Sequence, residues 1–127
     1  MYAYMNLMPF RSVVAKQLGA LLGVLSHPNR LHIVEELGGG ERDVNALQAS
    51  LGISHSGVSQ HLAVLRAHAV VAERREGRHV FYRLRRADLA DWLLQGLTFI
   101  TPEREEVREI ESALRKAKSA WTGKRRA

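Results

Sequence analysis

The chain has 127 residues, a formal net charge of +6 and 46% hydrophobic residues, which predicts one globular domain whose charge attracts polyanions, either nucleic acid or an anionic membrane face. It contains no cysteine, which excludes disulfides, thiolate metal sites and thiol redox switching and is typical of a cytoplasmic protein. No segment approaches the roughly 20 apolar residues of a membrane span, and the first residues lack a signal-peptide pattern, so we expect no membrane contact.

Two helices are predicted before the first cluster of glycines. After an N-terminal extension of residues 1–8, Pro9 opens the first helix, whose apolar stripe is wide enough to pack against its own domain and a partner chain. That stripe consists of Phe10, Val13, Val14, Leu18, Leu21, Leu22 and Leu25. Ser26 is the predicted N-cap of the second helix, which carries Pro28 in its first turn and ends at Gly38–Gly40.

A helix-turn-helix pattern follows these glycines. Asp43 is the predicted N-cap of a short helix, and Gly52 suits the left-handed position that ends it. Ser54 caps the next helix almost at once, so a tight turn joins the two helices. This second helix is predicted over residues 54–68, and its inner stripe consists of Val58, Leu62 and Leu65. His61, beside the stripe, is predicted to be half-buried and structural.

A basic β-hairpin is predicted directly after this motif, over residues 71–84. Its two strands, Val71–Arg75 and His79–Leu84, are separated by a short turn in which Gly77 is free to adopt a positive φ. A basic hairpin in this place is typical of the wing of a winged helix-turn-helix protein.

Two further helices are predicted towards the C-terminus. Asp88 is the candidate cap of the first, and Thr101 with Pro102 begins the second. The second carries a narrow apolar seam of coiled-coil type, consisting of Val107, Ile110, Leu114, Ala117 and Trp121. The domain with its dimerisation helices is therefore predicted over residues 9–122, and the basic tail, residues 123–127, is predicted to be disordered.

Four segments in this order, Ser26–Leu31, Leu51–Ser54, Val58–Arg66 and Arg75–Leu84, resemble the ArsR/SmtB family of bacterial winged helix-turn-helix repressors. The resemblance implies a mainly α fold with a small β-hairpin wing. It also implies an obligate homodimer that places its second motif helix in the major groove of double-stranded DNA. Repression would be relieved by an inducer or a chemical change.

The residues predicted to contact DNA lie opposite the apolar stripe of the 54–68 helix and around the turn of the wing. Short hydroxyls can bond phosphates or base edges, Gln can bond adenine, and Arg binds phosphates. The predicted set is His55, Ser56, Gly57, Ser59, Gln60, Arg66, Arg74, Arg75, Arg78 and His79. Two interpretations of Gly57 stay open: close approach of the DNA backbone, or no functional role.

The predicted dimerisation residues are apolar positions of the first helix and of the C-terminal helices. They are Val14, Leu18, Leu21, Leu22, Trp92, Leu93, Leu97, Ile100, Val107, Ile110 and Leu114. Packing within one chain is an open alternative for the same positions.

Two departures from the family concern its metal sites. Asp43 and Asn45 stand where metal-sensing members often carry Cys-x-Cys, and Ala90 stands where other members carry a metal-binding His. His27 and His32 are five residues apart, which is poor spacing for one helical face. We therefore predict no metal site and no cofactor.

In a third departure, Ala69 replaces the family's usual Gly after the motif.

The leading hypothesis is a sequence-specific DNA-binding repressor that acts as a homodimer on an inverted-repeat operator. One alternative is a winged-helix module that binds proteins without reading DNA. Another is a sensor repressor with an unknown small-molecule inducer, not a thiol reagent, at the dimer interface. An enzyme is not predicted, because the sequence shows no nucleophile–base pairing, phosphate loop or zinc hydrolase motif.

Overall fold

Helices and a small antiparallel sheet make up the computed structural model, which describes residues 8–100 and 107–126. The helices are α1 (Met8–Leu25), α2 (Pro28–Leu37), α3 (Val44–Leu51), α4 (His55–Ala67), α5 (Asp88–Gly96) and α6 (Val107–Arg126), with a 3₁₀ turn at Leu97–Phe99. The strands are β1 (Arg42–Asp43), β2 (Val71–Glu76) and β3 (His79–Leu84). The predicted class, mainly α with a β-hairpin wing, is confirmed.

The helix-turn-helix motif, α3 and α4, is held by the caps that the sequence predicts. The Asp43 side chain accepts a hydrogen bond from the backbone N–H of Ala46 at 2.8 Å, and Ser54 Oγ accepts one from the N–H of Gly57 at 3.1 Å. Gly52 adopts the left-handed conformation with φ 69° and donates its N–H to the carbonyl of Gln48. These local bonds satisfy helix ends that the chain would otherwise leave unpaired.

The start of α2 differs from the prediction. His27 is its N-cap, and the His27 Nδ1 atom accepts a hydrogen bond from the backbone N–H of Asn29. Ser26 instead donates its hydroxyl to the carbonyl of Gly23 at 2.7 Å, which closes the C-terminal end of α1. Ser26 therefore ends one helix and does not begin the next, while Pro28 occupies the first turn of α2 as expected.

The sheet has the order β1-β3-β2 and contains one strand that the sequence did not predict. β2 and β3 pair from Val71 with Leu84 to Glu76 with His79, around a turn in which Gly77 has φ 59°. β1 adds a two-residue pairing to β3, with Arg42 opposite Tyr82. Two residues are too few to show an alternating pattern, and the strand that they pair with is distant in the chain. The sequence therefore gives no sign of β1.

The core lies where α2, α3, α4 and the sheet meet. Its fully buried large side chains are Ile33, Val34, Leu47, Val58, Leu62, Leu65 and Val71. Ala90 of α5 is fully buried beside Gly38, and a Cβ atom placed on Gly38 would lie 2.9 Å from the Cβ of Ala90. A histidine at position 90 would have no room in this packing, which gives a steric reason for one departure from the family's metal pattern.

The C-terminal helices correct two further expectations. α5 has Ala87 as its N-cap without a side-chain hydrogen bond, and the carboxylate of Asp88 binds Arg86 instead, with oxygen–nitrogen distances of 2.7 and 3.1 Å. The predicted start at Thr101 and Pro102 lies outside the described residues. α6 continues through Arg126, so the helix extends into the segment predicted as a basic tail. Within the described residues, no helix combines the length and hydropathy needed to cross a bilayer.

Candidate nucleic-acid interface

The outward face of α4 carries the polar residues singled out from the sequence. His55, Ser56 and Gln60 are exposed, and Ser59 is half-buried. The opposite face of the helix is fully buried and consists of Val58, Leu62 and Leu65. The N-terminal half of α4 is thus free to contact a large partner, while the core holds the helix in place.

Gly57 has a packing role that neither earlier interpretation contained. A Cβ atom at this position would lie 3.2 Å from Ser54 Oγ and 3.4 Å from Ile53 Cδ1. Ser54 Oγ is the acceptor that caps α4 through the N–H of Gly57. The glycine therefore keeps room for the cap and the turn, independently of any contact with DNA.

A polar cleft of about 210 Å³ separates the start of α4 from the wing. Its lining residues come from β1, α3, α4 and the wing: Asp43, Val44, Asn45, His55, Ser59, Arg75, Arg78, His79, Val80 and Tyr82. Asn45 was not predicted as a contact residue, because the sequence does not show that α3 faces the wing. The cleft brings hydroxyl, amide, imidazole and guanidinium groups to one surface, a set that suits phosphate and base edges.

Arg74 is engaged by other side chains of the same surface. Its guanidinium donates to Glu41 Oε1 at 2.6 Å, also pairs with Glu76, and lies 4.6 Å from the centroid of the Phe81 ring. The hydrogen bond from Arg74 lowers the pKa of Glu41, and the hydrogen bonds to Glu41 and Glu76 raise the pKa of Arg74. Arg74 therefore ties the wing to the segment before β1, and its charge is balanced within the chain.

The remaining arginines of the predicted set differ in how they are paired. Arg66 Nη1 lies 2.9 Å from Glu73 Oε2, whereas Arg75 Nε lies 3.9 Å from Glu73 Oε1 and Arg75 is 74% exposed. No carboxylate of the described residues lies within ion-pairing distance of Arg78, which is exposed at the turn. Arg75 and Arg78 are thus the arginines of this set most available to an anionic partner.

His61 connects α4 to the start of α2, as its predicted structural role requires. Its ring centroid lies 4.4 Å from that of His27, and Arg30 is bonded nearby to the carbonyl of Val24. Burial lowers the pKa of His61, and the neighbouring His27 and Arg30 charges lower it further. The packed form of the His61 side chain is therefore the neutral one.

Acid is expected to destabilise the fold through His61. Because the folded-state pKa lies below the ordinary value of about 6.5, the unfolded chain takes up the proton first, and the free energy of unfolding falls as the pH falls below about 6.5. Urea unfolding at pH 5 to 8 measures this. His61→Gln should flatten the dependence, and His68→Gln, at the exposed end of α4, is the matched control. Equal flattening in both variants would contradict the assignment.

Ala69 carries the backbone strain expected from its place in the sequence. Its φ is 58°, a left-handed conformation that costs a non-glycine residue roughly 1–2 kcal/mol. Ala69→Gly should therefore raise the free energy of unfolding by roughly 0.5–1 kcal/mol, measured by urea denaturation. Ala63→Gly, in the exposed interior of α4, should lower it by about 1 kcal/mol. A loss of stability in both variants would show that position 69 is unstrained.

Comparison with protein families finds a match to a helix-turn-helix domain model over residues 25–74. This segment contains α2, β1, the motif and the first four residues of the wing. The biofilm growth-associated repressor of Agrobacterium fabrum is 41% identical over 91 residues, which are 70% of this chain and 77% of that protein.

Solved structures share the fold described above. The transcriptional repressor BigR from Xylella fastidiosa aligns with a TM-score of 0.65 and 35% identity, over 73% of this chain and 95% of that one. Mb0332 from Mycobacterium bovis, described as a homodimeric winged helix-turn-helix DNA-binding domain, aligns with a TM-score of 0.61 and 29% identity, over 69% of this chain and 83% of that one.

Proposed function

The chain belongs to the ArsR/SmtB family of winged helix-turn-helix transcriptional repressors, and from this premise we propose that it represses transcription as a twofold homodimer on an inverted-repeat operator. It is a DNA-binding regulator and not an enzyme. In the proposed complex, α4 lies in the major groove and the wing lies on the adjacent backbone and minor groove.

One observation carries this assignment to particular residues. The exposed N-terminal half of α4 and the available arginines of the wing, Arg75 and Arg78, lie on the two sides of a single polar cleft. A duplex can then be read by Ser56, Ser59 and Gln60 while the wing neutralises phosphates beside the groove. A module that only binds proteins would have no use for this combination.

An exposed apolar surface supports the dimer. In the single chain, large side chains of α1, of α5 and of the turn after it are left in solvent: Phe10, Val13, Val14, Leu18, Leu22, Trp92, Phe99 and Ile100. So much apolar surface is typical of an interface. Phe10, Val13 and Phe99 were not among the predicted dimerisation residues. Of the predicted residues that are not left in solvent, Leu21 and Leu93 pack partly against the core, and Leu97, Ile110 and Leu114 are half-buried. The side chain of Val107 lies outside the described residues.

Binding to DNA over a salt series tests the proposal. Fluorescence anisotropy would compare a duplex from the protein's own promoter region with a scrambled duplex of equal length and composition. We expect tighter binding to the promoter duplex, two chains per site, and log affinity falling with log salt by roughly 0.9 for each neutralised phosphate. Equal affinity for both duplexes at every salt concentration would contradict sequence-specific repression.

A cavity favours a ligand-responsive form of the same repressor. The cavity has a volume of about 480 Å³ and lies between α1 and α5. Its lining includes the apolar side chains of Leu18, Leu21, Val70, Leu89 and Trp92 and the polar side chains of His68, Arg86 and Asp88. This volume suits a small organic inducer. A hydrophobic dye, 1-anilinonaphthalene-8-sulfonate, should bind the intact dimer at one site per chain. A dimer that binds no dye would contradict this form.

A further inference from the structure

Three side chains with metal-binding atoms lie close together on α2, and none of them lines the polar cleft between α4 and the wing. His32, Glu35 and Glu36 occupy positions i, i+3 and i+4 of the helix, so each glutamate is a neighbour of His32 on the helix surface. One ligand atom from each lies within 4.8 Å of the other two. The distance between His32 Nε2 and Glu36 Oε1 is 3.7 Å.

A second helix contributes a hydroxyl to the same place. Ser50 of α3 donates its hydroxyl to Glu36 Oε1 at 2.7 Å, and Ser50 Oγ lies 3.4 Å from His32 Nε2. The Glu36 side chain is 16% exposed and the His32 side chain is 42% exposed. The group is therefore held between two helices, with one side open to water and to an incoming ion.

We propose that His32, Glu35 and Glu36 bind a first-row divalent transition-metal ion such as Zn²⁺, with Ser50 orienting the Glu36 carboxylate. One imidazole nitrogen with carboxylate oxygens is a donor set that suits Zn²⁺ or Co²⁺ better than Mg²⁺ or Ca²⁺, which prefer oxygen donors alone. The two carboxylates balance the charge of the ion. Neighbouring ligand atoms of a tetrahedral Zn²⁺ site lie about 3.3 Å apart, which small rotations of the glutamate side chains can reach.

This site is separate from both metal positions suggested by the family resemblance. Asp43 is engaged as the N-cap of α3, and Ala90 is buried against Gly38. Because Ser50 belongs to α3, a bound ion links α2 to the first helix of the DNA-binding motif. The spacing of His32, Glu35 and Glu36 is visible in the sequence, but only the packing of α3 against α2 places Ser50 beside them.

Titration of the metal-free full-length protein with CoCl₂ and ZnCl₂, without DNA, tests the proposal. Co²⁺ should give visible d–d absorption that saturates at one ion per chain, and Zn²⁺ should remove this absorption and raise the Tm. His32→Ala and Glu36→Gln should each weaken Co²⁺ binding by at least about tenfold, and Ser50→Ala by about tenfold as the loss of an orienting partner. His68→Ala, a histidine at the far end of α4, is the matched control and should bind as the wild type does.

Circular dichroism of each variant separates loss of the site from loss of the fold, and Glu36→Gln preserves side-chain size. The proposal is overturned if Co²⁺ gives no saturable absorption, or if folded His32→Ala and Glu36→Gln bind it as tightly as the wild type. Because the readout involves no nucleic acid, the metal-site proposal can fail while the proposed operator binding holds, and the reverse.

Discussion

Replacing Arg75 and Arg78 together by alanine is expected to weaken binding to the operator duplex by roughly 30-fold at 0.15 M salt. Both side chains are exposed and line the cleft beside α4, and no carboxylate within the described residues competes closely for Arg78. If each guanidinium neutralises one phosphate, the slope of log affinity against log salt should become shallower by about 1.8. Fluorescence anisotropy at several salt concentrations measures both quantities.

Arg74→Ala is the matched control for this prediction, because it removes the same charge from the same wing. Arg74 is bound to Glu41 and Glu76 and packs on Phe81, so its charge is already balanced in the free protein. The variant should leave the slope of log affinity against log salt close to that of the wild type. Any loss of affinity in this variant should result from a wing that is held less firmly against the segment before β1. A reduction of the slope by Arg74→Ala as large as that caused by Arg78→Ala would contradict the division of roles.

Replacing Val14 and Leu18 together by glutamate is expected to produce a monomer and to weaken operator binding by at least about 100-fold. Both side chains are exposed in the single chain, Val14 by 61% and Leu18 by 47%. The two introduced carboxylates would therefore lie in water and change the stability of the single chain little. In the dimer the same charges would be buried without partners, which is strongly unfavourable. A monomer binds one half-site at a time and loses the gain from linked binding, which is typically 10²- to 10⁴-fold.

Light scattering coupled to size exclusion measures the molecular mass of this variant, and anisotropy measures its affinity for the operator. Lys16→Glu changes an exposed charged residue of the same helix and is the matched control, since Lys16 lies outside the apolar stripe. It should remain dimeric. A double variant that keeps the wild-type mass would show that α1 does not form the interface.

The helix-turn-helix and the wing follow from signals that lie within a few residues of one another. The caps Asp43 and Ser54 bond to backbone N–H groups three residues later, and the left-handed turns at Gly52 and Gly77 need only the glycines themselves. Such interactions are visible in the sequence because both partners are neighbours in it. The predicted N-cap at Ser26 was wrong for a related reason. Its hydroxyl could bond either to the end of α1 or to the start of α2, both partners are equally near in the sequence, and the sequence does not show which bond is preferred.

The sequence by itself determined the class of fold and the positions of the motif and wing, because local caps and apolar periodicity carry that information. It indicated the family through the resemblance of four segments of the chain. The tertiary structure alone decided which candidate residues are available for function. Arg74 and Glu41 are 33 residues apart, and Ser50 and Glu36 are 14 residues apart, yet each pair is in hydrogen-bond contact. The ion pairing of Arg74 and the contact of Ser50 with His32 and Glu36 depend on how helices and strands pack, which no spacing along the chain expresses.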